Sequence, residues 1–167
     1  MSKPFLSSLP SDSQISELTS NAYFCDSWSI QLGEPDLNVF QQLIKLFRST
    51  PKWVEYCMQF RNQFVSRMGL KNLGSFNEID HAKAEANYRS GDRIGIFTLI
   101  QRNEKELIIG DSDRHLNVTL SVYQDQSTNI LTVTTIVHLK NMLGRVYMLP
   151  VIPMHRKIVP ATLKTLG

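Results

Sequence analysis

His155 and Asp26 are the residues whose types and positions can do proton chemistry in this chain. Wound at about 100° per residue, Gly144, Met148, Val151, His155, Ile158 and Thr162 fall on one stripe of a C-terminal helix spanning Asn141 to Leu166. An imidazole on a stripe that packs against apolar side chains needs a partner, because burying an unpaired polar group costs stability. Asp26 is the obvious carboxylate. It stands on the apolar face of a strand, among Ala22, Phe24, Trp28, Ile30 and Leu32. Brought together, the two can orient the polar end of a bound molecule or transfer a proton. The ordinary role of such a pair is to fix packing register. Arg61 and Arg145 compete for the same carboxylate, and an acid beside an arginine is more often a structural ion pair than a catalyst. Arg61, Trp28, Tyr147, Met148 and Val151 are the expected surroundings of the site.

Asp113, His115 and His138 form a weaker set. If the turns between strands are tight, His115 stands opposite His138 on the sheet face away from the core. Two cross-strand histidines can bind a metal. No CxxC or HExxH motif accompanies them, and aspartates that cap a hairpin account for the same letters, so no metal is expected. Cys25 and Cys57 give neither a ligand spacing nor a disulfide framework. No G-x-S-x-G, no phosphate-binding loop and no G-x-G-x-x-G follows a strand, so no cofactor is expected.

The elements that must position these residues follow from periodicity. Residues 1–21 are Ser-rich and read as a flexible N-terminal arm with one helical turn, Ser11 to Leu18. Ala22 to Leu32 alternates like a strand. Asp36 is a fair cap for a helix carrying Phe40, Leu43, Ile44 and Phe47. Thr50-Pro51 starts a second helix, whose apolar surface comes from Trp53, Val54, Cys57, Met58, Phe60, Phe64, Val65 and Met68, with Gly69 closing it. Residues 70–90 give no clear period; a short strand or helical turn over Ile79 to Tyr88 is the reading they allow.

Four strands follow: Arg93 to Gln101, Glu106 to Asp111, Leu116 to Gln124 and Asn129 to Lys140. Two-residue turns would set Ile100 opposite Leu107, Ile109 opposite Leu116, and Leu116 opposite Val137. One face then reads Ile96, Ile100, Leu107, Ile109, Leu116, Val118, Leu120, Val122, Leu131, Val133 and Val137. Phe97, Leu99, Ile108 and Ile136 fall on the other face, to be covered by the arm or by a second copy in a homodimer. The last helix presses its stripe on the apolar face and turns Pro150, Pro153 and Pro160 outward.

The chain has 167 residues, 42% of them hydrophobic and 20% charged, as expected of one globular domain over residues 22–167. A net charge of +3 is too mild to argue for nucleic acid. The segment MSKPFLSSLPSDSQ lacks an apolar signal core, so a reducing cytoplasm is the expected location. The longest apolar run, Val146 to Met154, is too short to span a bilayer and is cut by prolines. The basic side chains of the last helix read as its solvated back, and membrane contact is not expected.

The order strand, two helices, meander, long helix resembles the helix-grip fold of the START and birch-pollen-allergen-like superfamily, which includes polyketide-cyclase-like proteins. Several stretches are similar to a bacterial family, the domain of unknown function 2867. They are Trp53-Val54 with Arg61-Asn62, residues 68–71 (MGLK), 91–97 (GDRIGIF), 110–116 (GDSDRHL), and 143–147 (LGRVY) with 153–156 (PMHR). The resemblance implies an α+β domain whose curved antiparallel sheet grips the C-terminal helix; it implies no settled activity. The expected function is binding of a small hydrophobic molecule between sheet and helix, without catalysis. The alternatives are a cyclase or isomerase using His155 with Asp26, and a structural or interaction module with no ligand.

Overall fold

The computed structural model describes residues 2–66, 74, 79 and 83–167, with side chains described outside 64–66. Alternating strands and short polar turns build one antiparallel sheet. Its described strands are Phe5–Ser7 (β1), Phe24–Gln31 (β2), Arg93–Ile94 (β3), Phe97–Arg102 (β4), Glu106–Ser112 (β5), Leu116–Asp125 (β6) and Ile130–Leu139 (β7). Their spatial order is β1-β2-β7-β6-β5-β4-β3. Helices Val39–Arg48 (α1) and Lys52–Ser66 (α2) separate β2 from β3, and Met142–Leu163 (α3) follows β7. The expected α+β class holds, and the expected order of strand, two helices, meander and long helix holds from β2 onward; β1 was not expected. Among the described residues, no helix is long and apolar enough to cross a membrane.

Turn chemistry decides the register, and with it which face each side chain takes. The tight-turn reading placed Leu116 opposite Val137; it pairs with Leu139. It placed Ile109 opposite Leu116; it pairs with Leu120. These slips are of two and four residues, and an even slip leaves every side chain on its face. The slip at β4 is odd. The turn closes on Glu104-Lys105 and not on Asn103-Glu104, with Asn103 N donating to Glu106 O at 2.9 Å and Asn103 Oδ1 accepting from the amides of Lys105 (2.9 Å) and Glu106 (2.8 Å), a slip of two that a bulge at Ile100 makes odd. Leu99 now faces Ile109. Phe97 and Leu99, expected outside, are therefore core residues at 7% and 1% exposure, and Ile100, expected inside, is 45% exposed. The expected strand over 93–101 is also broken in two, because Gly95 takes a positive φ of 59° and folds Ile94 back on Phe97.

The helices differ in detail. Asn38, rather than Asp36, caps α1: its side chain accepts from Gln41 N at 2.9 Å, and Gln41 Oε1 accepts from Asn38 N at 3.1 Å. Thr50 does not cap α2; its hydroxyl donates to Leu46 O and closes α1. The apolar surface of α2 is only partly buried. Val54 is fully enclosed, whereas Trp53 is 42% and Phe60 72% exposed. Phe64 and Val65 side chains, Met68, Gly69 and most of residues 70–82 lie outside the described residues. A 3-10 turn covers Glu85–Asn87 within the stretch that gave no clear period.

The stretch read as a loose arm lies along the sheet. β1 pairs with β2, and a 3-10 turn over Gln14–Leu18 sets Ile15, fully buried, against Ile108 and Ile136. The arm covers that part of the outer face. Glu106, 2% exposed, anchors it by accepting from Ser13 Oγ (2.5 Å), Gln14 N (2.8 Å) and Ser121 Oγ. Serines of β2 join a hydroxyl ladder, Ser27 to Thr134 at 2.8 Å and Ser29 to Thr132 at 2.7 Å.

Tyr123 donates to Asp12 Oδ2 at 2.6 Å. That bond, then burial, pushes the Tyr123 hydroxyl up to about 12 and holds Asp12 below the usual carboxylate range. A raised phenol contributes stability that is complete below the free value of about 10 and is lost as pH climbs through its folded value. In an alkaline titration followed by tyrosinate absorbance, Tyr123 is expected to ionise at about 12. Asp12→Asn should bring it back toward the other tyrosines. A wild-type Tyr123 that already ionises at about 10 would contradict this contact.

Candidate functional site

Alternation on three adjacent strands puts one row of side chains under α3. Asp26 of β2 pairs with Thr135 of β7, and Thr135 with Leu120 of β6. Asp26 shares its face with Phe24, Trp28 and Ile30, and Thr135 shares its face with Leu131, Val133 and Val137. Above them, α3 is fixed at its start. Asn141 Oδ1 accepts from Gly144 N at 3.1 Å and Asn141 Nδ2 donates to Arg114 O at 3.1 Å. Gly144 lies so close to the turn after β5 that a Cβ there would sit 2.5 Å from His115 O. From this seat the helix runs about 16 Å to His155. Gly144 and Met148 are buried, and Val151, His155, Ile158 and Thr162 are half-buried, as the stripe requires. Pro150 and Pro153 are exposed, and Pro160 is half-buried.

His155 and Asp26 meet. His155 Nε2 lies 2.9 Å from Asp26 Oδ1, and Trp28 Nε1 donates to Asp26 Oδ2 at 3.2 Å. The Phe24 ring packs edge-on against the imidazole, centroids 5.3 Å apart. The side chains of His155 and Asp26 are 17% and 9% exposed, so water reaches the pair from one side. The carboxylate fixes the tautomer: a proton on Nε2 leaves Nδ1 as an acceptor. Among the described residues Nδ1 has no partner. The Thr135 hydroxyl, buried at 4% exposure, also has none. The neighbouring Cys25 thiol is pushed up by burial first and by the Asp26 charge second.

Apolar groups flank this row on both sides. Phe24, Leu116, Val137 and Met148 form one cluster, with Tyr147 and Val151 packed on it. Ile30, Leu131, Val133 and Leu163 belong to the main core, with Trp28, Val118 and Leu120 only partly buried against it. The inward residues nearest the pair are thus less enclosed than those at either end.

The other expected site residues go elsewhere. Arg61 Nε donates to the Tyr147 hydroxyl at 2.9 Å and its guanidinium lies 5.6 Å from that ring's centroid. Arg145 lies over Tyr23 at 5.7 Å. The described partners of Asp26 are His155 and Trp28, not an arginine. The histidine pair across the sheet does not form, because the register sets His138 opposite Asn117. His138 Nε2 contacts Ser20 O at 3.2 Å, and His115 Nδ1 lies 3.0 Å from Asn141 Nδ2. Asp113 Oδ1 accepts from the amides of His115 (2.7 Å) and Leu116 (2.9 Å), the capping role that a hairpin aspartate takes. No group of three or more metal-ligating side chains occurs among the described residues. Two surface clefts, of about 550 and 300 Å³, lie around the β4–β5 hairpin and contain neither Asp26 nor His155.

Thr135 is the site residue that sequence reasoning passed over. The signal was present: within the alternating series Leu131, Val133, Thr135, Val137 it is the lone hydroxyl on a core-facing row.

Compared with known proteins, the chain matches one family model, described as Protein of unknown function (DUF2867), over residues 18–162. No curated protein matches it, and no solved structure does.

Proposed function

From the premise that the chain belongs to the family described as Protein of unknown function (DUF2867), we propose that it binds a small, mainly apolar molecule between the sheet and α3, as a helix-grip domain does. The observation that carries the reading is the buried, unpartnered Thr135 Oγ1 on the strand row that bears Asp26, where His155 reaches the sheet from α3, flanked by apolar clusters. Buried polar atoms are nearly always paired, so an orphan of this kind marks a place that a ligand can complete. Its chemistry follows. Nδ1 accepts and the threonine hydroxyl donates, which matches one hydroxyl group of an alcohol or phenol. A carboxylate would meet the Asp26 charge beside it. Val118, Leu120 and Val151 would contact the apolar body.

Native mass spectrometry of freshly purified protein, and displacement of the neutral dye Nile red by long-chain alcohols, test this. Thr135→Val is the informative variant. Removing an orphan hydroxyl relieves a desolvation cost of about 1–3 kcal/mol, so the melting temperature should hold or rise while alcohol affinity drops about tenfold. No copurified molecule, no dye signal and no alcohol-induced thermal shift would leave a ligand-free interaction module as the better reading.

A second reading rests on the same bare Nδ1. With Nε2 held by a carboxylate, Nδ1 is arranged as a general base, as in a cyclase or isomerase. Conversion of the captured molecule on incubation, absent in His155→Gln, would distinguish catalysis from retention.

A further inference from the structure

We propose that the outward face of α3 docks the protein on an anionic membrane surface. The stripe that holds His155 accounts for one side of the helix only. On the other side Met142 is 68%, Leu149 64% and Val146 53% exposed, and Pro150 and Pro153 are exposed with them. At about 100° per residue these side chains fall within one band about 100° wide, opposite Met148, Val151 and His155. A solvated helix back is polar along its centre; this one is apolar from Met142 to Pro153 and basic beyond.

The charges complete the pattern. From Gln126 to Gly167 the chain has no Asp or Glu. Arg145, Arg156, Lys157 and Lys164 are all exposed. On the helical wheel Arg145 and Arg156 lie to one side of the apolar band, and Lys157 and Lys164 continue the band itself toward the C-terminal end. An apolar band with basic side chains along one side and at its end is complementary to the headgroup region of an anionic bilayer, where the apolar side chains enter and the cations stay at the phosphates. The prolines set the depth. Each lacks an N–H, so the carbonyls of Val146, Leu149 and Arg156 lose their usual helical donor. Freed carbonyls need water, which is present at headgroup depth and absent from the hydrocarbon. The helix therefore lies on the surface, and none of the described helices can span it.

The test is co-sedimentation of the full chain with vesicles of phosphatidylcholine alone or containing about one-third phosphatidylglycerol. Binding is expected on the anionic vesicles, at least tenfold stronger than on the neutral ones, and weakened by salt. Leu149→Glu, and separately Arg156→Glu with Lys157→Glu, should each reduce binding at least tenfold with unchanged thermal melts, since these positions are exposed. Leu6→Glu, at an equally exposed apolar residue of β1, should leave binding intact. Absence of sedimentation at low salt, or sedimentation that survives Leu149→Glu, would overturn the proposal. So would a concentration-dependent dimer abolished by Leu149→Glu with no vesicle binding, which would make the stripe a seat for a second copy. Thr135→Val should bind vesicles like the wild type, which separates this surface from the ligand site.

Discussion

Gly144→Ala is expected to destabilise the protein by about 2–3 kcal/mol and to lower its melting temperature by roughly 4–12 °C. The sign is not obvious. In an unconstrained helix interior alanine is better than glycine by about 1 kcal/mol. Here the added carbon would sit 2.5 Å from the His115 carbonyl oxygen and 3.4 Å from Leu139 Cδ2. The nearest atom is backbone, so no rotamer change relieves the overlap and the helix itself must lift. Asn141 holds the same turn through Arg114 O and so resists that movement. Chemical denaturation and a thermal melt measure the loss. A melt that holds or rises would show that α3 is not seated on the turn after β5. The effect reaches the candidate site, because His155 hangs from the same helix and a lifted N-terminus pulls at the 2.9 Å contact with Asp26.

Asp26→Ala is expected to cost about 2–3 kcal/mol and to abolish alcohol binding. It leaves the His155 ring N–H and the Trp28 indole N–H without their shared acceptor. Bonds to a charged acceptor are worth about 1.5–3 kcal/mol each; the sum is reduced because water reaches His155, whose side chain is 17% exposed. Asp26→Asn keeps an acceptor and should cost about half as much. A double-mutant cycle with His155→Ala isolates the pair, with a coupling energy of about 1–2 kcal/mol expected. Single-variant losses that add within about 0.5 kcal/mol would show that the two side chains do not act together, and the proposed polar end of the site would go with them.

Side chains whose partners are fixed by period were legible in the sequence; those fixed by turns were not. His155 on the helix stripe and Asp26 on the strand face needed only the 3.6 and 2.0 periods, and they meet. Thr135 needed the same period and was passed over because it interrupts a valine-rich row. The β4 error arose from the bulge at Ile100, which makes odd a slip that the turn alone, closed by Asn103 N on Glu106 O, leaves even. Alternation does not distinguish a bulged strand from a regular one. The outer face was harder still. Ser27 and Ser29 look solvent-facing, yet they are 4% and 2% exposed because hydroxyls pair across strands there. Glu106 at the head of an apolar strand was the available clue to a polar contact from elsewhere, and it is what ties down the arm.

The strand that bears Asp26 pairs with the last strand of the sheet, Gln31 against Ile130. At the ~5–20 residues per second of protein synthesis, β2 is synthesised roughly 5–20 s before its partner. Until then its alternating Phe24, Trp28 and Ile30 have no neighbour on that side. Maturation of the nascent chain is thus gated by its own tail, and stalled chains that stop short of β7 should be captured by holding chaperones and cut by protease within the first thirty or so residues.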